Sequence, residues 1–217
     1  MASETALWIT GFGLVTPLGI GAEASLRGLF AGERGIAELS LFELAGARSK
    51  LAAEVRGLDC AAEASRADAM ALAAAREALA HAGLDPSQVR ADLVLGGTTA
   101  GMFETEELLT QLDGASPSEA LDVKLATHPL SSTADRVAEV LGPFGVVRTV
   151  CCACTSGAAA LTLAACWLRS GQSEVVLAGG VDALCRLTVS GFGSLGVLDP
   201  EPCRPFDVTR KGLNLGE

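Results

Sequence analysis

The run from Val146 to Gly180 constrains this chain most. Val146-Val147-Arg148-Thr149-Val150 is rich in β-branched residues and reads as a strand over 146–152. A long Ala/Leu stretch follows from Thr155 to Arg169 and reads as a helix stopped by Gly171. Glu174-Val175-Val176-Leu177-Ala178-Gly179-Gly180 then reads as a second buried strand. A strand, a helix and a strand in succession place the two strands parallel, with the helix crossing one face.

The pattern recurs along the chain. Ala6 to Val15 reads as a glycine-broken strand, followed by a short helix over 22–30 that ends at Gly32. The segment 33–58 has weak periodicity and is expected to be irregular. Met70, Leu72, Ala73, Ala75, Leu79 and Ala80 mark a helix over 66–81, with Gly83 as its stop. Ala91 to Gly97 is a short strand entering a Gly/Thr loop, Gly96 to Gly101, that opens a helix over 103–112. A polar stretch leads to a further helix over 133–141, closed by Gly142-Pro143. The expectation is an α/β fold with a mainly parallel central sheet covered on both faces. No linker or repeat divides residues 1–217, which read as one domain.

Composition narrows the function. Hydrophobic residues make up 49% of the 217, with 25 glycines and no tyrosine, so the core is built from Ala, Leu, Val and Gly. The net charge of −10 argues against a nucleic-acid partner, though a local basic patch can still serve an acidic carrier. No apolar run reaches the ~18 residues of a membrane span, and the N-terminus lacks signal-peptide features, so a cytoplasmic protein is expected. Seven cysteines, an odd number without an export signal, favour reduced thiols. Cys151 and Cys154 form a C-x-x-C pair, but the first would sit inside the strand rather than at a helix start, as a redox motif requires. A second cysteine pair for zinc is lacking, and His81 and His128 are the only histidines. No metal site is expected.

Cys154 stands apart from the other thiols. At the junction of strand and helix it faces the unpaired N–H groups and the positive end of the helix dipole. Both favour an anionic sulfur, the nucleophilic form. Its own backbone N–H is a candidate oxyanion donor.

These segments together resemble the N-terminal half of the β-ketoacyl-acyl-carrier-protein synthases, condensing enzymes of the thiolase-like αβαβα layered fold. The resemblance lies in four blocks in order: Ile9 to Gly19, Cys152-Ala153-Cys154-Thr155-Ser156-Gly157, Val175 to Gly180, and Cys203-Arg204-Pro205-Phe206-Asp207 with Gly212 to Glu217. It implies that Cys154 accepts an acyl group from a carrier-protein thioester. A malonyl-carrier thioester then loses carbon dioxide, and its carbanion attacks the enzyme thioester. No cofactor is implied. The resemblance places Phe192 near the acyl pocket, with a core phenylalanine as the other reading. It places Met102 and Phe103 where the family limits acyl depth across a dimer interface, against ordinary core packing. It places Arg66 where basic residues touch the carrier, against a solvated charge at a helix start.

The family's two decarboxylation histidines belong to its second half, and neither His81 nor His128 matches their motifs. Condensation is therefore expected to need a C-terminal half, in the same or a separate chain. A homodimer or a ketosynthase heterodimer is expected, since a half-fold would leave apolar faces bare. The alternative is a non-catalytic chain-length or scaffold subunit paired with an active synthase. A thiolase-type condensing enzyme shares the nucleophile, but the Arg204-Pro205-Phe206-Asp207 block favours the carrier-protein branch.

Overall fold

The computed structural model describes residues 6–44, 46, 49–111 and 125–217. Its centre is a parallel sheet of three strands in the order β6-β5-β7, where β5 is Ala91–Gly96, β6 is Phe144–Val150 and β7 is Val175–Gly180. The strand alternation sorts side chains between two helical layers. Leu93 of β5, fully buried, packs with Leu72 and Ala75 of α2 (Arg66–Ala82) and Val137 of α4 (Ser132–Leu141). Val94, one residue on, packs with Ala160 and Trp167 of α5 (Ser156–Arg169) on the opposite face. The continuous apolar run Leu93-Val94-Leu95 is what burial on both faces demands.

Register is pinned at the N-terminal end of the strands by Asp92. Its Oδ1 accepts the Val146 N–H at 2.6 Å, and its Oδ2 accepts the Ser173 hydroxyl just before β7. The pairing with β6 shifts by one residue between Ala91 and Leu93, and the Asp92 carboxylate spans that irregularity.

Around the sheet lie α1 (Ala22–Phe30), α3 (Met102–Gln111) and α6 (Arg186–Ser194). A second small sheet orders as β3-β4-β8, from Ile36–Glu38, Leu51–Ala53 and Leu215–Gly216. Among the described residues no helix is long and apolar enough to cross a membrane.

Three expectations change, and one helix was not anticipated. Only Val15–Thr16 of the opening segment is strand, β1, paired with β2 (Gly19–Ile20). The residues before it lie along α2 instead: Leu14 N–H donates to Glu77 at 2.9 Å, Phe12 N–H to His81 Nδ1 at 3.5 Å, and Gly11 and Gly13 abut the backbone of Ala78 and Ala74. The segment 33–58 is not wholly irregular, since β3 and β4 pair antiparallel within it. The strand before the cysteines stops at Val150, so Cys151 and Cys152 belong to the turn. A helix over 186–194 forms despite Gly191 and Gly193, because Glu106 caps its start by accepting the N–H groups of Arg186 and Leu187 at 2.6 and 2.7 Å. Most of the polar stretch before Ser132 lies outside the described residues.

Arg66 ties α2 to the β3-β4-β8 sheet. Its guanidinium donates to Glu217 from Nε at 2.9 Å and Nη2 at 2.5 Å, and to the Val55 carbonyl. Glu217, whose side chain is fully buried, also accepts the N–H groups of Val55 and Leu184 at 2.9 and 3.0 Å. Removing one partner strands the other charge in the core. Arg66→Ala should therefore cost about 3–5 kcal/mol, read as a lowered urea midpoint.

Asp68 offers a pH-dependent test. It is buried in the first turn of α2, beneath the Ser65 cap that accepts its N–H at 3.1 Å. Burial pushes its carboxyl above the ordinary 3.8, with the Ser65 and Thr133 hydroxyls pulling the other way. The folded state thus holds this proton more tightly than the unfolded chain, and stability falls as pH rises from 3.8 through the raised value. Asp68→Asn should unfold at higher urea than the parent at neutral pH. The gap should close below pH 3.8.

Candidate active site

The chain leaves β6 at Val150 and enters α5 at Ser156 through one tight turn. The Cys152 carbonyl accepts from the Thr155 N–H at 3.1 Å and its hydroxyl at 2.8 Å. Ser156 closes the turn from the helix side: its Oγ accepts the Cys152 N–H at 2.9 Å and donates to the Ala153 carbonyl at 2.7 Å. Ala153 is left-handed, at φ 50°, a conformation that costs a non-glycine residue energy and persists only when its surroundings enforce it. Cys154 is at the outer corner of this turn, with its side chain exposed.

Three glycines bring the turn against the sheet. A Cβ on Gly96, at the end of β5, would fall on the Ser156 carbonyl. One on Gly180, at the end of β7, would lie 2.9 Å from the Gly157 Cα. The start of α5 therefore touches two strand ends backbone to backbone. This sets Cys154 at the C-terminal edge of the parallel strands, where the loops part and ligand clefts form in α/β folds.

A cleft of about 600 Å³ opens there. Cys154, Ala153 and Ser156 form one wall, Thr98 and Thr99 another, and Val181 to Leu184 with Thr188 and Phe192 a third. Val15, Met70, Ala74 and Leu215 to Glu217 also border it. The volume is in the range of small-molecule sites, and the lining is mostly apolar with a few polar groups. The arrangement sets an exposed thiol beside apolar surface, a placement suited to attack on a carbonyl carbon that carries an apolar chain.

A family model for the N-terminal domain of β-ketoacyl synthases matches residues 5–217. The chain belongs to that family.

A putatively assigned β-ketoacyl synthase 1 of oxytetracycline polyketide synthesis from Streptomyces rimosus is 35% identical, across 96% of this chain and 55% of its own length. The chain thus spans about half the length of the relatives it matches. Among solved structures, the ishigamide ketosynthase/chain length factor superposes with a TM-score of 0.84 at 32% identity, over 94% of this chain and 54% of the other. A type II polyketide ketosynthase in complex with its acyl-carrier protein gives 0.80 at 26% identity, over 95% and 54%. The fold is the thiolase-like α/β architecture of these ketosynthases, in its N-terminal half.

The residues singled out in the ketosynthase motifs fall in different places. Cys154 and Phe192 both border the cleft. Met102 and Phe103 do not border it. Phe103 packs beside Phe42, ring centroids 6.2 Å apart, in the cluster that also takes Phe192. Arg66 is corrected: it is buried with its guanidinium spent on Glu217 and Val55, so no carrier can reach it. His81 stacks edge-on against Phe12 at 4.7 Å, and His128 Nδ1 is 3.1 Å from the Thr105 hydroxyl.

Asp182 escaped the sequence reading. It borders the cleft and accepts four hydrogen bonds from Thr98 and Thr99. A lone aspartate after Gly179-Gly180-Val181 carries no motif of its own. Its signal was the pairing of two Gly-Gly strand ends, the first followed by Thr98-Thr99 and the second by Val181-Asp182.

The glycine contacts are testable. Gly180→Ala would force the start of α5 outward and should destabilise the ketosynthase domain by about 1–3 kcal/mol. It should also slow iodoacetamide labelling of Cys154 relative to Cys166, exposed on the far part of the same helix and mapped in the same digest.

Proposed function

We propose that this chain is the nucleophile-bearing half of a ketosynthase that loads an acyl group on Cys154. The observation that carries the reading is the exposed Cys154 sulfur, held at a strained turn and bordering an apolar cleft. The sulfur attacks the carbonyl carbon of a carrier-protein thioester, and a tetrahedral oxyanion forms. Its collapse breaks the carbonyl–sulfur bond to the carrier's thiol, which leaves with a proton. The acyl chain then lies along the apolar cleft toward Phe192.

Decarboxylation and carbon–carbon bond formation follow only with groups from a second half. Neither histidine of this chain serves them, since His81 is tied to Phe12 and His128 to Thr105. Bare apolar surface supports association: Leu161 on the outer face of α5 is 56% exposed, and Trp8 and Ile9 are more than four-fifths exposed. The acyl donor is an acyl-carrier protein, and the product a β-ketoacyl chain of the polyketide or fatty-acid type. The synthase works as a dimer with a like or related subunit. A non-catalytic chain-length role is disfavoured, because the thiol stands open at the turn.

The test is acyl loading of the complete synthase with an acyl-carrier donor, read by peptide mass spectrometry. One adduct is expected, on Cys154, and Cys154→Ala should abolish it. An adduct on Cys151 or Cys152, or none, would overturn the assignment.

A further inference from the structure

Asp182 carries more than its place in the cleft wall. Its Oδ1 accepts the backbone N–H groups of Thr98 and Thr99 at 2.6 and 2.7 Å and the Thr99 hydroxyl at 2.9 Å. Its Oδ2 accepts the Thr98 hydroxyl at 2.9 Å. Hydrogen bonds to a carboxylate are shorter and stronger than neutral ones. The Ala183 N–H adds a bond to the Thr99 hydroxyl at 3.2 Å, and a Cβ on Gly97 would meet the Val181 carbonyl at 2.7 Å. The loop after β5 and the loop after β7 are thereby fastened to each other at the sheet end where Cys154 stands.

The second of these loops runs directly into α6. It holds Leu184, buried in the cluster that takes Phe192, and α6 brings Thr188 and Phe192 to the cleft. The first loop runs through Gly101 into α3, whose Phe103 packs in that same cluster. One side chain therefore fixes both walls that face the cysteine. Its partners are backbone amides and short hydroxyls, which allow little play.

We infer that Asp182 is a positioning residue for acyl-chain length: it holds the loop after β7 against Thr98 and Thr99, and so sets the depth of cleft between Cys154 and Phe192. The inference rests on Cys154 being the acyl acceptor. It assigns Asp182 no contact with the reacting atoms. Without the clamp the loop relaxes and Phe192 can withdraw, so chains too long for the native cleft gain entry. A difference of one methylene in an apolar pocket changes discrimination by roughly 10-fold or more, so even a small withdrawal is measurable.

The experiment is competitive loading of the complete synthase with a mixture of short, medium and long acyl-carrier donors, with Cys154 adducts quantified by mass spectrometry. Unfolding midpoints are measured beside it. Asp182→Ala should raise the ratio of long to short adducts about 10-fold. Asp182→Asn should restore the parent ratio: its amide oxygen can take the three Oδ1 bonds, and the Thr98 hydroxyl can turn to accept from the amide nitrogen. Thr98→Val, which removes only the Oδ2 partner, should shift the ratio in the same direction by less, and serves if Asp182→Ala does not fold. An unchanged ratio in Asp182→Ala and Thr98→Val, or a lower midpoint with all chain lengths slowed equally, overturns the inference while leaving Cys154 as acceptor. A parent enzyme with no adduct on Cys154 overturns the acyl-acceptor reading, and this inference with it.

Discussion

Everything at the site depends on one backbone contact, the start of α5 pressed against the ends of β5 and β7. Gly157 meets Gly180, and Ser156 meets Gly96, with no side chain between them. A helix separated from a sheet by side chains can slide or tilt as they repack. A helix touching it through bare backbone has almost no such freedom, because a close-packed interior transmits rather than absorbs displacement. The left-handed Ala153 follows from this: the turn must reverse direction within two residues, and the tight contact enforces a conformation alanine would otherwise avoid. The exposed position of Cys154 is in turn a consequence of Ala153.

A second regularity explains much of the acidic balance. Among the described residues seven carboxylates accept backbone N–H groups from distant segments, one of them Glu104, which holds Arg66 at 2.7 Å. Glu77 holds Leu14 and Ala22, Glu54 holds Ser40, and Asp92 holds Val146. Glu106 holds Arg186 and Leu187, Asp182 holds Thr98 and Thr99, and Glu217 holds Val55 and Leu184. Of these, Glu217 is also ion-paired, with Arg66. Loops of small residues cannot anchor themselves by burying large aromatics, and this chain has no tyrosine. An acidic side chain bonding two amides supplies the missing anchor, at the desolvation cost that such groups carry. Part of the net charge of −10 is thus internal scaffolding rather than a surface prepared for a basic partner.

This division also explains what could be read from the residues alone. The central strands and α2, α4 and α5 followed from local patterning: apolar runs of strand length, helical spacing and glycine stops such as Gly83, whose φ of 63° needs no Cβ penalty. Cys154 followed from the same local grammar. Elements held by distant carboxylates did not. The opening segment has every mark of a strand, yet its amides go to Glu77 and His81, more than sixty residues away. Helix α6 contains two glycines and forms because Glu106, some eighty residues earlier, caps it. Arg66 reads as a surface charge until Glu217 is seen to bury it, a partner 151 residues on. Asp182 is silent for the same reason.

The two kinds of anchoring separate the site's tasks. The glycine contact places Cys154, the proposed nucleophile, and it is backbone only, so side-chain variation elsewhere leaves the cysteine where it is. The carboxylate clamps place the walls, and each is a single side chain that substitution can loosen. In the proposed reaction the attack on a thioester needs only the first. Choosing among acyl chains needs the second, through the loops that carry Thr98, Thr99, Thr188 and Phe192. A scaffold built this way can change what it accepts without disturbing how it reacts, because the two properties rest on different bonds.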